Sequence, residues 1–185
     1  FTLTTDVVKG MRIDGVISGT GGLTKISNDT LILGGANSYS GATTLTNGII
    51  QLQNQDGLGS TNPGLNSTTA SNTSVASGTA IKIVGSNFVT PETLVLSGTG
   101  IANRGALFNI GGKNTLSSAI TLNSDATIFS TGTNSNSDSL IITGNISTGN
   151  SGAIISDGLI LSLDAGNSAS YPGSGTIWYD LSGNG

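Results

Sequence analysis

The residues that could carry acid–base chemistry are few and scattered. The acids are Asp6, Asp14, Asp29, Asp56, Glu92, Asp125, Asp138, Asp157, Asp164 and Asp180. Cleavage of a polysaccharide needs two carboxyl groups facing one another, one protonated and one not. On a coiled chain, two such groups would be spaced by about one coil length, and Asp125 and Asp138 are too close for that. Several acids precede glycine instead, at Asp14-Gly15, Asp56-Gly57 and Asp157-Gly158, where tight corners favour the pair. All ten, Glu92 included, are expected in turns or on the surface. Serine is plentiful, but a nucleophilic serine needs a base beside it. Histidine is absent, and so is the G-x-S-x-G elbow of hydrolases. "GTGGLTK" at Gly19 to Lys25 is glycine-rich, yet it lacks phosphate-loop spacing and opens no helix. The expectation is a protein that is not an enzyme, with no catalytic, cofactor-binding or metal-binding residue.

Weaker ligand signals sit near the C-terminal end. "DAGN" at Asp164 to Asn167 and "DLSGN" at Asp180 to Asn184 could each offer calcium a carboxylate and an amide oxygen. The glycine-rich nonapeptide of calcium-binding β-rolls is absent, so loop chemistry without metal is expected. Trp178 and Tyr179 are adjacent aromatics. They read first as an anchor against a neighbouring surface and second as a platform for sugars. Sequons at Asn28, Asn66, Asn72 and Asn145 are what a chain so rich in Asn, Ser and Thr produces by chance. Cysteine is absent, which excludes disulfides and thiolate metal sites. A net charge of −4 gives no basic patch for nucleic acid. No apolar run is long enough to span a bilayer.

What remains is shape. Ser, Thr, Asn and Gly make up more than half of the 185 residues. Such a polar bias can mean disorder. Short β-branched runs argue against it, for example "LIL" at Leu31 to Leu33, "IKIV" at Ile81 to Val84 and "LIIT" at Leu140 to Thr143. Turn clusters interrupt the pattern too often for helices. Strands are predicted at Thr2–Val8, Met11–Ile17, Leu23–Ile26, Thr30–Leu33, Thr43–Leu45, Ile49–Gln53 and Ala80–Val84. They continue at Thr93–Leu96, Ala106–Ile110, Ala119–Leu122, Thr127–Phe129, Ser139–Thr143, Ala153–Ile155 and Leu159–Leu163. Their alternation predicts an interior of Leu31, Leu33, Leu45, Ile50, Leu52, Ile81, Ile83, Leu94, Leu96, Ile110, Leu122, Ile128, Ile141 and Ile155.

A repeat decides between sandwich and solenoid. "LGGANSYSGATTL", Leu33 to Leu45, is echoed by "IGGKNTLSSAITL", Ile110 to Leu122, after 77 residues. Two fainter echoes pair "VISGTG" at Val16 with "VLSGTG" at Val95, and "LTNGII" at Leu45 with "IITGNI" at Ile141. Self-similarity at such an offset is the mark of stacked coils, here three or four of about 20–25 residues. In that reading Gly34-Gly35 and Gly111-Gly112 take positive φ at sharp corners. Asn37 and Asn114 tolerate left-handed geometry and bond their own backbone.

The stretch Gly15 to Leu52, "GVISGTGGLTKISNDTLILGGANSYSGATTLTNGIIQL", resembles the autotransporter-associated β-strand repeat of bacterial passenger domains. Gly105 to Ser147 resembles the longer partner segment of such repeats. The resemblance implies an all-β fold, a right-handed parallel β-helix, exposed on a surface or secreted, and it carries no catalytic residue. The tail from Asp157 to Gly185 is similar to the opening of a concanavalin- or laminin-G-like domain, as found in phage virion and bacterial surface proteins. The expected organisation is a β-solenoid over residues 1–156 and a truncated second domain over 157–185, so that the chain is a piece of something longer. The expected function is a structural segment of an extracellular fibre or virion appendage, with a carbohydrate-binding adhesin module as the alternative. Its expected partner is itself. The first strand and the tail would meet neighbouring copies head to tail through Phe1, Leu3, Val7, Leu159, Leu161, Tyr171, Trp178 and Tyr179.

Overall fold

The computed structural model describes residues 2–5, 10–59, 72–131 and 139–149. The chain divides into two units, Phe1–Gly149 and Asn150–Gly185. The predicted strands Ala153–Ile155 and Leu159–Leu163 and the tail fall outside the described residues.

The first unit is all-β. Its strands are β1 (Thr2–Thr5), β2 (Met11–Ile13), β3 (Gly22–Lys25), β4 (Thr30–Leu33), β5 (Thr43–Leu45), β6 (Ile49–Leu52), β7 (Asn72–Val75) and β8 (Ala80–Ile83). They continue as β9 (Val89–Thr90), β10 (Thr93–Gly98), β11 (Leu107–Ile110), β12 (Lys113–Leu116), β13 (Ile120–Ala126), β14 (Ile128–Thr131), β15 (Ser139–Ile142) and β16 (Ile146–Thr148). Short β-branched runs closed by glycine or asparagine make strands of this length and forbid longer ones.

The strands form three parallel sheets, ordered β1-β3-β5-β7-β10-β13-β16, β14-β11-β8-β6-β4-β2 and β15-β12-β9. Strands hydrogen-bond to strands a coil earlier or a coil later, never to their neighbours in sequence. This matches the connectivity expected of a β-solenoid. Strands about 4.8 Å apart make the seven-stranded stack on the order of 30 Å tall. Coil length varies more than expected. Leu31 partners Ile50 after 19 residues, and Ile50 partners Ile81 after 31. The stack tolerates this because only the strands must keep register, while a loop leaving a corner adds little closure entropy.

Parallel register lines identical faces into columns. On the second sheet Leu31, Ile50, Ile81 and Leu107 stand over one another, with Leu33, Leu52 and Ile83 beside them. On the first sheet the columns are Leu23–Thr43–Thr73–Leu94–Ile120 and Lys25–Leu45–Val75–Leu96. All of these side chains are buried. Each large aliphatic one contributes about 1.5–3 kcal/mol by leaving water.

Nine of the predicted interior residues, Leu31 through Leu96, are buried. Leu122 and Ile128 are half-buried against the core. Ile110 and Ile141 are corrections: both are half-buried on the outward face, and their neighbours face in. The inward pairs are Leu107 with Asn109 and Leu140 with Ile142, the latter aligned on Asn114 and Leu116. A period of two makes a one-residue slip reverse every side chain. Ile155 lies outside the described residues. Strands β7, β9, β12 and β16 are not among the predicted ones, since Asn, Lys, Ser and Thr outnumber aliphatics in β7, β12 and β16 and β9 is two residues long.

Candidate functional site

The stretch that repeats is the machinery by which coils are joined. The two copies are three coils apart, β4 and β11 being separated by β6 and β8. In the first copy the corner follows β4 and leads to β5. In the second it follows β11, passes through β12 and leads to β13. The fainter echoes do not share structure. Val16–Gly21 lies outside any strand whereas Val95–Gly98 is in β10. Leu45–Ile50 joins the first sheet to the second, and Ile141–Ile146 joins the third to the first.

Asn37 and Asn114 are the staples of these corners. Both are buried. Asn37 Oδ1 accepts the Ile17 N–H at 2.9 Å, and its Nδ2 donates to the Gly57 carbonyl at 2.6 Å, one coil on either side. Asn114 Oδ1 accepts the Phe88 N–H at 3.0 Å, and its Nδ2 donates to the Gly85 carbonyl at 3.0 Å and to Asn109 Oδ1 at 2.8 Å. Neither takes positive φ; among the described residues Asn87, Ala102 and Asn103 are the non-glycine residues that do. The expected left-handed geometry is therefore corrected for both, and the expected local bond holds for Asn114, whose Nδ2 also donates to the Gly111 carbonyl at 3.3 Å, but not for Asn37. A buried amide offers two donors and an acceptor, enough to satisfy backbone groups of adjacent coils at once.

The paired glycines also differ from expectation. Gly111 and Gly112 have φ of 69° and 73°, as predicted. Gly34 and Gly35 do not have positive φ. They are glycine because a Cβ on Gly34 would overlap the Asp14 carboxylate and one on Gly35 the Gly15 carbonyl. The first copy thus needs the dipeptide for close approach of coils, and the second needs it for backbone conformation and for close approach as well, since a Cβ on Gly112 would overlap the Gly85 carbonyl.

Inside the first copy lies a buried polar cluster. Tyr39 Oη and Thr43 Oγ1 are 2.6 Å apart. Thr43 and Thr73 are register partners on adjacent strands. Thr73 Oγ1 donates to Glu92 Oε1 at 2.8 Å. All four residues are buried. Glu92 Oε2 has no hydrogen-bond partner among the described residues. Burial pushes the Glu92 carboxyl up from 4.5 to about 7, opposed by the Thr73 bond. Burial also pushes the Tyr39 phenol up, and the Glu92 charge adds to this. The turn-or-surface reading of Glu92 is corrected: Pro91 before it is exposed, but the Glu92 side chain is buried against Thr73. In the second copy Leu116 and Ile120 take the places of Tyr39 and Thr43, and both are buried. The position is an inner one in both copies, and only the first fills it with hydroxyls.

Lys25 is a second inward charge. It is buried, and its ammonium donates to Ser27 Oγ at 2.8 Å, to the Ser27 carbonyl and to the Asn47 carbonyl at 3.4 Å. The alternation of "GLTK" could have placed it, since Lys25 shares the face of Leu23. At the surface Arg12 Nε meets Asp14 Oδ2 at 2.8 Å and Arg12 Nη1 meets Gln53 Oε1 at 2.5 Å. On the outer face of the second sheet Arg12, Ile32, Gln51, Lys82, Phe108 and Phe129 form one column. Phe108 and Phe129 meet edge to face at 5.3 Å.

Of the residues expected at an assembly surface, the backbone of Leu3 lies in β1, opposite Leu23. Phe1, Val7, Leu159, Leu161, Tyr171, Trp178 and Tyr179 lie outside the described residues, as do the loops considered for calcium. Among the described residues no three of His, Cys, Asp and Glu gather as metal ligands. Among them, too, no helix is long and apolar enough to cross a membrane.

Residues 23–52, from β3 to β6, match the model of the passenger-associated-transport-repeat. The match covers Lys25, Asn37, Tyr39 and Thr43 and supports the resemblance to an autotransporter passenger repeat. No curated protein and no solved structure matches the chain.

Proposed function

We propose that this chain is a structural segment of a bacterial surface or secreted protein, a stiff β-solenoid that carries or joins other parts rather than catalysing a reaction. The observation that carries this reading is the parallel pairing of strands from β1 to β16, shifted in register once between Leu96 and Gly98, in a chain whose residues 23–52 match a passenger-type repeat. Stiffness follows from that register, since bending the stack would break ladder hydrogen bonds along one whole sheet. The coils are right-handed in this reading, because parallel crossovers take that hand in about 98% of cases. The passenger-type repeat favours a bacterial surface over a virion appendage.

The same reading has the chain assemble end to end. Strands β1 and β16 each have one partner in their sheet among the described residues, and an open edge is a template for another strand. Head-to-tail stacking of this kind does not close and gives filaments. Sedimentation and negative-stain images of the purified chain, with and without Asp157–Gly185, test it. Particles that lengthen with concentration are expected. A compact particle of fixed mass at all concentrations would overturn the fibre.

One observation favours the adhesin alternative. The outward Phe108–Phe129 pair adjoins Lys82 and Gln51 on a sheet face, a strip with aromatic rings beside polar side chains. Aromatic faces beside amide and ammonium donors suit a glycan chain. A glycan array run with the chain and with its Phe129→Ala variant separates the readings. Binding that disappears in the variant would favour the adhesin.

A further inference from the structure

We propose that Glu92 is a proton-dependent latch between two coils of the stack, closing the coil of β10 onto that of β7 when its carboxyl is protonated and loosening it when the carboxyl ionises. The geometry is a carboxyl group 3% exposed, with Oε1 held by Thr73 at 2.8 Å and Oε2 without a partner. A neutral acid tolerates that environment at the cost of one unmade hydrogen bond. A carboxylate does not, because a buried charge needs either a partner or water.

The groups around it offer little to hold the charge. From β7 the Thr73 hydroxyl faces it. From the coil of β5 come Thr43 and the phenol of Tyr39, the titratable group whose interaction with Glu92 is felt. From the coil of β13 comes backbone, the Ala119 carbonyl accepting the Leu94 N–H at 3.1 Å. Lys25, on the neighbouring inner column, gives its ammonium to Ser27 and Asn47. Burial therefore dominates the carboxyl and raises it to about 7.

Ionisation has a short way out. Pro91, the residue before Glu92, is exposed, so water reaches the carboxylate if the corner at residues 90–92 swings away from β7. That motion breaks the Thr73 bond and the start of the β7–β10 ladder at Thr93 with Asn72 and Leu94 with Thr73. Thr90 and Pro91 move with the coil that follows, whose Ser117 N–H and Ser118 hydroxyl hold their carbonyls, and the Thr90 hydroxyl gives up the Gln55 carbonyl of the coil before. The device would make the stack firmer in acidic than in neutral surroundings.

The test uses the fact that Glu92 is the only glutamate in the chain. Labelling with glutamate carrying a 13C carboxyl gives one side-chain signal to follow. A titration midpoint near 7 is expected, and one at the ordinary 4.5 would overturn the proposal. Hydrogen exchange of the β7 and β10 amides, corrected for intrinsic rates, reads the opening itself. Protection at Thr73–Val75 and Leu94–Leu96 should fall by at least about tenfold from pH 5 to pH 8, while that at Leu31–Leu33 holds. The Glu92→Gln variant, neutral throughout, should keep its protection over the same range. Unchanged protection in the parent chain, or an equal fall in E92Q, would overturn the latch. If E92Q does not fold, the carboxyl titration and the exchange profile of the parent chain decide, and a fall in protection that does not follow the carboxyl midpoint would overturn the latch.

Discussion

Asn37 Oδ1 accepts the backbone N–H of Ile17, twenty residues earlier in the chain, at 2.9 Å. One side chain thus ties its own coil to the coil before, and through Gly57 to the coil after. The ladders hold the flat faces of the stack together, and this amide does the same for a corner where no strand can form.

Removing it should therefore cost more than an average hydrogen bond. Asn37→Ala leaves the buried Gly57 carbonyl and the half-buried Ile17 N–H unpaired, at about 1–3 kcal/mol for the first and less for the second. The expected loss is at least about 2 kcal/mol in urea unfolding. Asn114→Ala should behave alike. Asn37→Asp should be no better than the alanine variant at neutral pH, since a carboxylate would face the Gly57 carbonyl.

The glycines of the corner should separate by mechanism. Gly35→Ala places a methyl group on the Gly15 carbonyl and should destabilise by more than about 1 kcal/mol. Gly15→Ala on the facing coil meets nothing within 4 Å and should be silent. Thermal melts of the two variants check this. Equal melting temperatures would mean that the coils can part at this corner.

The hydroxyl pair offers a double-mutant cycle. Thr43→Val strands the buried Tyr39 phenol and should cost about 1–3 kcal/mol. Adding Tyr39→Phe removes the stranded group, so the double variant should recover much of that loss. The second copy, with Leu116 and Ile120 buried at these places, shows that the fold accepts an apolar pair there.

The pH dependence of stability follows from Glu92. Its folded carboxyl is raised from 4.5 to about 7. Below 4.5 both states are protonated, and the contribution is fully present. Above that the unfolded chain ionises first, so stability falls as pH rises toward 7 and then levels off. The total is on the order of 3 kcal/mol, at about 1.4 kcal/mol per unit. Urea unfolding between pH 4 and pH 8 should show this fall in the parent chain and lack it in Glu92→Gln.

Core truncations should grade with burial. Leu33→Ala empties a fully buried position and should cost about 2–5 kcal/mol. Leu122→Ala acts on a half-buried side chain near the last strands and should cost clearly less. Denaturant midpoints for the two variants check the order.

The sequence by itself determined the class of the fold and most of its inner columns. Alternation in "TLIL" or "AIKIV" is a local property, and a strand buried on one face leaves no choice about which residues go in. The 77-residue echo determined that coils stack, since only repeated corners explain repeated corner chemistry. Three matters needed the tertiary structure. Which residues of "LFNI" and "SLII" face inward depended on the register with neighbouring strands, which an ambiguous apolar run does not settle. Whether a Gly-Gly pair answers to its own backbone angles, to a coil passing beside it or to both depended on what that coil brings, Asp14 and Gly15 beside the first pair and Gly85 beside the second. Glu92 looked like one more isolated acid because its partners, Thr73 and Tyr39, are 19 and 53 residues away. A charge is placed by the groups that surround it, and in a stack those come from other coils.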